Sequence, residues 1–206
     1  KLEQYVRQGS AAETKVNVIA TIDHNAMSGI SRTSREIMSD IVILGWPQKM
    51  GFMEKLMGEK LETILSNTDK TIFISNLEKP LISLKRISLI APPLSELENG
   101  FSIWLTKLNR LAQELSIPLM IYGEAKTHDA ILEQTKKSSL NIQLSFTIFS
   151  EWEDILIISR YIKEDDLLVM VTSRKGSVSY ENVLENIPSK LEKHFEQNSK
   201  ILIYPR

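Results

Sequence analysis

Residues 41–74 read IVILGWPQKMGFMEKLMGEKLETILSNTDKTIFI, and this stretch decides the fold. Residues 41–44 form a short apolar run typical of a buried strand, and a loop with two glycines and a proline follows. Apolar residues then recur at helical spacing over residues 53–65, and residues 71–74 are again apolar and rich in β-branched side chains. A strand, a glycine-containing loop, a helix and a second strand form the unit from which α/β proteins build sites that face phosphate.

Strand-like and helix-like patterns alternate along the rest of the chain. The predicted strands lie at residues 16–22, 41–44, 71–74, 87–90, 119–122, 144–148, 167–171 and 201–204. The clearest amphipathic helix covers residues 101–115, and weaker helical patterns lie at 28–39, 125–137, 151–161 and 180–195. Strands that alternate with helices predict an α/β fold with parallel sheets built from βαβ units.

The chain also resembles itself at an offset of about 126 to 130 residues. The segment 2–4 corresponds to 132–134, the strand at 16 to the strand at 144, 41–44 to 167–171, and 71–74 to 201–204. This order predicts two units. Residues 80–206 form a complete second unit with five strands. Residues 1–79 form the C-terminal part of a first unit that is truncated at its N-terminus, and we expect its first strand, first helix, second strand and part of its second helix upstream.

Composition excludes several classes of protein. With 25 basic and 26 acidic residues, the net charge gives no sign of binding to nucleic acid or to an anionic membrane surface. The absence of cysteine excludes disulfides, thiolate nucleophiles and zinc sites built on cysteine. The sequence contains no apolar run long enough for a transmembrane helix, so we expect a soluble domain.

Several segments carry a resemblance to a known family. These are SDIVILGW at 39–46, GFMEKLMGEKLETIL at 51–65, KRISLIAPP at 85–93, GFSIWLTKLNRLAQEL at 100–115, SRKGSVSYENVLENIP at 173–188 and ILIYPR at 201–206. From about residue 17 to its end, the chain resembles the tandem universal stress protein-like region at the cytoplasmic C-terminus of bacterial monovalent cation/proton (sodium/proton) antiporters. The resemblance implies the adenine nucleotide alpha hydrolase-like fold in two copies.

The resemblance also implies a role. In such antiporters an N-terminal membrane domain carries ion transport, so the part seen here is expected to be a non-catalytic regulatory domain at the cytoplasmic face of the bacterial inner membrane. Its expected partner is the membrane transport domain of the same polypeptide. Universal stress proteins pair through their last strands, so residues 71–74 and 200–204 are predicted to pair with each other within the chain or between copies in a homodimer.

Universal stress proteins hold ATP phosphates with a Gly-x2-Gly-x9-Gly-Ser/Thr loop after strand 4. Here Gly45 and Gly58 keep two of the glycines, whereas Gln48 replaces the second glycine and Glu59 replaces the hydroxyl. A side chain at Gln48 fills the space that an anion needs, and the charge of Glu59 repels phosphate. Gly51 lies in the same loop, and turn or packing roles also explain the three glycines. We therefore predict no nucleotide cofactor, which agrees with the sequence Ala-Pro-Pro at 91–93, where the family has an acidic residue.

The second unit offers an alternative anion site in the loop at residues 173–179. Arg174, Lys175, Gly176 and Ser177 could hold a phosphate group at a helix N-terminus. A plain turn, with a serine capping the helix and two solvated cations, explains the same residues. If any ligand binds, we expect it at this loop rather than at the loop around Gly45.

The remaining polar candidates have structural explanations. Asp23, His24 and Asn25 follow a predicted strand and precede a helix, where loop capping is favoured over acid–base chemistry or metal binding. The pair at residues 165–166 is interpreted as a solvated turn. The three tryptophans, Trp46, Trp104 and Trp152, are interpreted as core or seam residues, and Trp46 in the loop could instead form part of a surface contact. With no nucleophile elbow, zinc-protease pair, P-loop or dinucleotide fingerprint in the sequence, we predict no enzyme. The rivals are a sensor that binds an adenine nucleotide or cyclic dinucleotide, and a nucleotide hydrolase.

Overall fold

A computed structural model of the chain describes residues 2–46 and 61–206. The helices are α1 (Leu2–Ala11), α2 (Ala26–Glu36), α3 (Leu61–Asn67), α4 (Phe101–Leu115), α5 (Ala125–Lys137) and α6 (Ile187–His194). The strands are β1 (Ile41–Gly45), β2 (Thr71–Asn76), β3 (Arg86–Ile90), β4 (Leu119–Gly123), β5 (Leu144–Ile148), β6 (Asp166–Val171) and β7 (Ser199–Tyr204). Short 3-10 segments lie at Leu81–Ser83, Ser95–Leu97, Trp152–Arg160 and Asn182–Asn186.

The strands form one seven-stranded sheet in the order β1-β2-β7-β6-β3-β4-β5. All neighbours are parallel except β2 and β7, whose antiparallel register places Ile74 opposite Leu202. The predicted pairing of the two last strands within the chain is therefore confirmed. Because β2 and β7 each have a neighbour on both sides, neither has a free edge for pairing between copies.

The two halves of the sheet repeat the same hydrogen bonding. The backbone N–H of Trp46, directly after β1, donates to the carbonyl of Ser75 on β2 at 2.8 Å. The backbone N–H of Thr172, directly after β6, donates to the carbonyl of Ile203 on β7, also at 2.8 Å. These partners are separated by 126 and 128 positions, within the range of the sequence repeat. Strand β1 therefore occupies the position in the first half that β6 occupies in the second half.

Helices and loops cover the sheet on both faces and produce two apolar cores. One core packs α4 against the sheet and includes Trp104, Leu105, Leu108, Ile87, Leu89, Val169 and Ile203. The other packs α3, α6 and the Trp152–Arg160 segment against the opposite face and includes Trp46, Ile64, Ile74, Trp152, Leu168, Met170, Leu191 and Leu202. Strands β6 and β7 are buried along their whole length, as expected for central strands covered on both faces.

The strand predicted at residues 16–22 does not form. Residues 14–23 have no regular secondary structure and are mostly exposed, with Ile22 95% exposed. An apolar alternating run becomes a strand only where a neighbour accepts its backbone hydrogen bonds, and no described strand lies beside this segment.

Two predicted helices are only partly helical. In the pattern at 151–161, Trp152–Arg160 forms a 3-10 segment in which Asp154 has non-helical dihedral angles (φ −120°, ψ 65°). In the pattern at 180–195, the α-helix begins only at Ile187, with Pro188 in its first turn. Proline is accepted in the first turn of a helix, where its missing N–H would have no partner within the helix, so Pro188 is compatible with a helix that begins at Ile187. By contrast, α5 (Ala125–Lys137) has the predicted bounds.

Candidate functional site

The loop after β6 contains Arg174, the first cation of the predicted anion site. Its guanidinium donates to the carbonyls of Leu65 at 2.6 Å, Thr68 at 2.5 Å and Pro205 at 2.7 Å, and also to the carbonyl of Lys70. These four acceptors lie at the end of α3, in the turn before β2 and after β7. Burial lowers the pKa of Arg174, while the charges of Asp69 and Glu98 raise it. The side chain therefore joins the first half of the chain to the second.

The other residues of this predicted site also make protein contacts. Lys175 Nζ pairs with Glu62 at 2.7 Å and with Glu185 at 3.7 Å, and all three side chains are exposed. Ser177 Oγ donates to the carbonyl of Arg174 at 2.8 Å. Gly176 has φ +84°, and a Cβ built on it meets no atom within 4 Å. The first α-helical turn comes only at Ile187, so the loop does not enter an α-helix directly.

A buried carboxylate lies against the same loop. Glu98 accepts the backbone N–H of Ser179 at 2.8 Å and the hydroxyl of Ser179 at 2.6 Å, and both residues are buried. The loop serine predicted as a possible helix cap therefore binds a side chain from before α4 instead. A negative charge at this position opposes a second anion nearby. The arrangement stabilises the loop, and the anion site at residues 174–177 remains a prediction.

The predicted solvated turn at residues 165–166 is wrong for Asp166, which is 1% exposed. Its carboxylate pairs with the guanidinium of Arg86 on β3, with Nε at 3.0 Å, and accepts the Ser88 hydroxyl at 2.9 Å and the backbone N–H of Lys163 at 3.0 Å. The hydrogen bond to Asp166 raises the pKa of Arg86. Arg86 and Asp166 are 80 positions apart in the chain, and the pairing of β3 with β6 brings them together.

Asp23, His24 and Asn25 have the capping geometry that was favoured. Asn25 caps α2 by accepting the backbone N–H of Ser28 at 2.9 Å. Asp23 accepts Arg32 Nε at 3.1 Å and the backbone N–H of His24 at 2.7 Å, and these contacts lower its pKa, with Arg32 as the largest cause. Within residues 2–46 and 61–206, His, Asp and Glu side chains form no cluster of three suited to a metal ion.

The predicted loop of the first half is described only at its start. Gly45 ends β1, is exposed, and has no atom within 4 Å of a Cβ built on it. Gly51, Gly58, Gln48 and Glu59 lie outside the described residues. Trp46 is buried in a core, which agrees with the core interpretation and not with the alternative of a surface contact, and the ammonium of Lys200 lies 5.7 Å from the centre of its ring.

A groove of about 570 Å³ lies between α2, the extended segment at 19–23 and strand β1. Its lining is mostly apolar and small, and includes Ile19, Thr21, Ala26, Gly29, Ile30, Ile37, Ile41 and Val42. Asp23 and Asn25 also line it, but both already make the capping contacts described above. Sequence reasoning did not find this groove, because it depends on residues 16–22 remaining outside the sheet.

None of the described helices combines the length and apolar character that a membrane span needs.

Solved structures with a similar fold include a universal stress protein from Archaeoglobus fulgidus DSM 4304, with a TM-score of 0.58 and 14% identity over 98% of this chain and 73% of that chain. A putative universal stress protein from Pseudomonas aeruginosa UCBPP-PA14 has a TM-score of 0.60 and 12% identity, over 99% of this chain and 77% of that chain. The cytoplasmic domain of a prokaryotic cation chloride cotransporter has a TM-score of 0.64 and 14% identity, over 98% of this chain and 78% of that chain. Neither a scan against protein-family models nor a search of curated proteins gives a match. The chain therefore has a universal stress protein-like α/β fold.

Proposed function

We propose that this chain is a non-catalytic regulatory domain of a bacterial monovalent cation/proton antiporter. The observation that carries the proposal is the likeness to the cytoplasmic domain of a cation chloride cotransporter, which extends over 98% of this chain. The antiporter assignment adds to this the sequence resemblance at residues 39–65, 85–115 and 173–206. We place the domain at the cytoplasmic face of the inner membrane, with the transport domain of the same polypeptide as its partner.

The contacts of the charged residues support a structural rather than a catalytic use of the fold. Parallel α/β sheets place ligands beyond the carboxyl ends of their strands. In the second half, that edge carries Arg174 bound to four backbone carbonyls and Glu98 bound to Ser179. The Arg174 contacts join the second half of the chain to the first, and the Glu98–Ser179 contact stabilises the loop within the second half. We propose the division into units at residues 1–79 and 80–206, joined by the β2–β7 pair.

Transport in everted membrane vesicles tests the proposal. The complete antiporter and a variant that lacks this domain should both exchange cation for protons, because the domain carries no transport chemistry. Without the domain, the dependence of exchange on cytoplasmic pH or cation concentration should shift. Identical profiles for the two forms, at equal protein in the membrane, contradict a regulatory role. An absence of cation/proton exchange by the complete protein contradicts the antiporter assignment.

A nucleotide sensor is the second candidate, and one observation favours it. Ser173 Oγ is buried and has no hydrogen-bond partner among the residues that the structure describes, and it lies next to a loop in which Gly176 has open space. Titration calorimetry with ATP, cyclic AMP and cyclic di-AMP separates the candidates. The regulatory proposal expects no saturable binding of ATP at millimolar concentration. A dissociation constant below about 100 μM, or about −5.5 kcal/mol, supports the sensor instead.

A further inference from the structure

Strand β5 presents a row of unpaired backbone groups at the edge of the sheet. It pairs with β4 on one side, and no described strand lies on its other side. Backbone hydrogen bonds at its two ends give its register, because the Gln143 carbonyl and the Phe149 N–H both bond toward β4. Successive residues of a strand direct their backbone groups to alternate sides. The residues whose N–H and C=O groups face away from β4 are therefore Leu144, Phe146 and Ile148.

The side chains of β5 do not protect this edge. Natural edge strands are usually kept from pairing with other chains by a charged side chain, a proline or a bulge. Residues 144–149 read LSFTIF, which combines high β-propensity with no charge and no proline. The register with β4 runs without a bulge from Leu144 to Ile148, and the Ile148 side chain is 71% exposed. Both the backbone and the side chains of β5 therefore favour the addition of another strand.

Helix α5 adds a charged face beside the same edge. The helix contacts both β4 and β5, and the His128 ring stacks on the Phe146 ring with 4.1 Å between their centres. Leu132 and Lys136 follow His128 at intervals of four residues, so they share its face of the helix, and Asp129 lies next to them. Asp129 and Lys136 are exposed. The face directed toward the β5 edge thus has a carboxylate in its first half and an ammonium in its second half.

A second copy of the chain fits this edge in the antiparallel orientation. A twofold axis perpendicular to the sheet at Phe146 places Leu144 of each copy opposite Ile148 of the other, and the free backbone groups of both strands gain partners. The two α5 helices then lie antiparallel on the same face of the joined sheet. A strand spacing of about 4.8 Å puts the axes of these helices about 10 Å apart, which is the distance between packed helices.

Charge complementarity selects this orientation over a parallel one. In the antiparallel pair, the half of α5 with Asp129 lies beside the half of the partner helix with Lys136, so opposite charges meet at both ends of the helix pair. In a parallel pair each of these groups would face its own kind, which is unfavourable. The other edge of the sheet offers less to a second copy, because β1 has Gly45 at an outward position and gains no side-chain contact there.

We propose that this chain forms a homodimer in which β5 pairs antiparallel with β5 of a second copy and the two α5 helices pack across the twofold axis. The strands expected from the sequence to join copies, β2 and β7, have neighbours on both sides and offer no free edge. The inference rests on β5 and α5 and does not depend on the transporter assignment.

Sedimentation equilibrium of the 206-residue chain tests the proposal. With rising concentration, the measured mass should approach twice 23.5 kDa. Ile148→Lys places a charge on the β5 edge and should raise the dissociation constant of the dimer at least about tenfold. Ile43→Lys on β1 is the matched control, with 70% exposure against 71%, and should leave the dissociation constant within about twofold of the wild type. Because both sites are exposed, both variants should keep the urea denaturation midpoint of the wild type.

Disulfide cross-linking tests the register, because the chain has no cysteine of its own. In the proposed pair, the Cα atoms of Leu144 in one copy and Ile148 in the other lie about 5.5 Å apart, within the range of a disulfide. An oxidised mixture of the Leu144→Cys and Ile148→Cys proteins should therefore form a cross-linked dimer. Each variant alone should not, because its own two thiols lie at opposite ends of the strand pair.

Exchange of the two charges on α5 tests the orientation. Asp129→Lys and Lys136→Asp should each raise the dissociation constant about threefold, and the double variant should restore the value of the wild type. A monomer at every concentration, equal weakening by Ile148→Lys and Ile43→Lys, or no cross-link in the cysteine mixture overturns the proposal. A double variant that is no tighter than the single ones overturns the antiparallel contact between the helices.

Discussion

Strands β1 and β6 have similar apolar sequences and equivalent places in the two halves of the sheet, but different environments. Each is parallel to its half's last strand, and the residue after each donates to that strand at 2.8 Å. Strand β6 is buried at every position, whereas Ile43 and Gly45 of β1 are exposed. The difference shows that local sequence determines the strand and its pairing with the last strand of its half. Burial of its side chains depends on what covers the faces of the sheet, because Val169 packs in the core with Trp104 and Leu105 whereas Ile43 is exposed.

The largest difference is expected for a charge placed at equivalent positions of the two strands. Val169→Lys puts an ammonium into a site with no exposure and no carboxylate partner, and should lower the free energy of unfolding by about 4 kcal/mol or more. Ile43→Lys should change it by no more than about 0.5 kcal/mol, because lysine is well accepted at a sheet edge. Urea denaturation of both variants checks this. Similar losses would show that the edge of β1 is covered.

The two aspartates that precede these strands give the next comparison. Asp166→Ala leaves the Arg86 guanidinium without its carboxylate and Ser88 without its acceptor, so it should cost about 3–5 kcal/mol. Asp40→Ala should cost no more than about 0.5 kcal/mol in this chain, because its carboxylate is exposed. The change in the free energy of unfolding of each variant is calculated from its urea denaturation midpoint, with the dependence of that free energy on urea concentration held equal to the wild type. A loss of several kcal/mol for Asp40→Ala would show that its carboxylate makes a stabilising contact in the folded chain.

Adjacent cations in the loop after β6 provide a smaller contrast. Arg174→Ala leaves four backbone carbonyls without their donor. Water can reach some of these carbonyls in the variant, so the free energy of unfolding should fall by about 2–3 kcal/mol. Lys175→Ala removes only exposed ion pairs and should cost less than about 1 kcal/mol. Thermal unfolding at fixed pH measures both. If Lys175→Ala costs as much as Arg174→Ala, the loop is held by charge rather than by the carbonyl contacts.

The smallest effect concerns Lys200, which lies on β7 between the halves. Burial lowers the pKa of its ammonium, and Glu78, Glu192 and Glu196 offset this only in part. Between the lowered pKa and the ordinary value near 10.5, the unfolded chain binds more protons than the folded chain. Stability should therefore rise as the pH increases through this window, and should show no slope from Lys200 below it. Lys200→Met should remove that slope and raise stability at pH 7 by about 1 kcal/mol.

Measurements for this pair of proteins should stop at about pH 9, since tyrosines titrate near pH 10. Burial raises the pKa of Tyr122 and Tyr204, and both side chains lose stabilising free energy as the pH rises above their unfolded value. Equal pH slopes for the wild type and Lys200→Met would show that Lys200 is solvated in the folded chain.

The sequence predicted those features that depend on neighbours in the chain. The apolar stripe at 101–115 became α4, and the apolar runs at 71–74 and 201–204 became paired central strands. The buried pair of Arg86 and Asp166 was missed, because only the β3–β6 register brings the two side chains together. Strand formation at 16–22 was predicted from alternation alone, and it failed because a strand needs a hydrogen-bonded neighbour.

The candidate site was less predictable for a related reason. Arg174 and Lys175 are adjacent in sequence and look equivalent, yet one binds backbone carbonyls of distant segments and the other binds exposed carboxylates. No local pattern separates a cation that stabilises a turn from one that awaits an anion. An arginine directly after a buried strand, close in space to a helix end, is the only signal that could have indicated the carbonyl contacts.

Residue-resolved amide hydrogen exchange on the 206-residue chain compares β1 with β6 most directly. The N–H groups of Ile43 and Gly45 should exchange rapidly, whereas those of Val42 and Leu44, which face β2, should be slower. In β6 the N–H of Val169 should be as protected as that of Leu168, because strands lie on both sides. An Ile43 amide as protected as the Val169 amide would contradict the position of β1 at the edge of the described sheet.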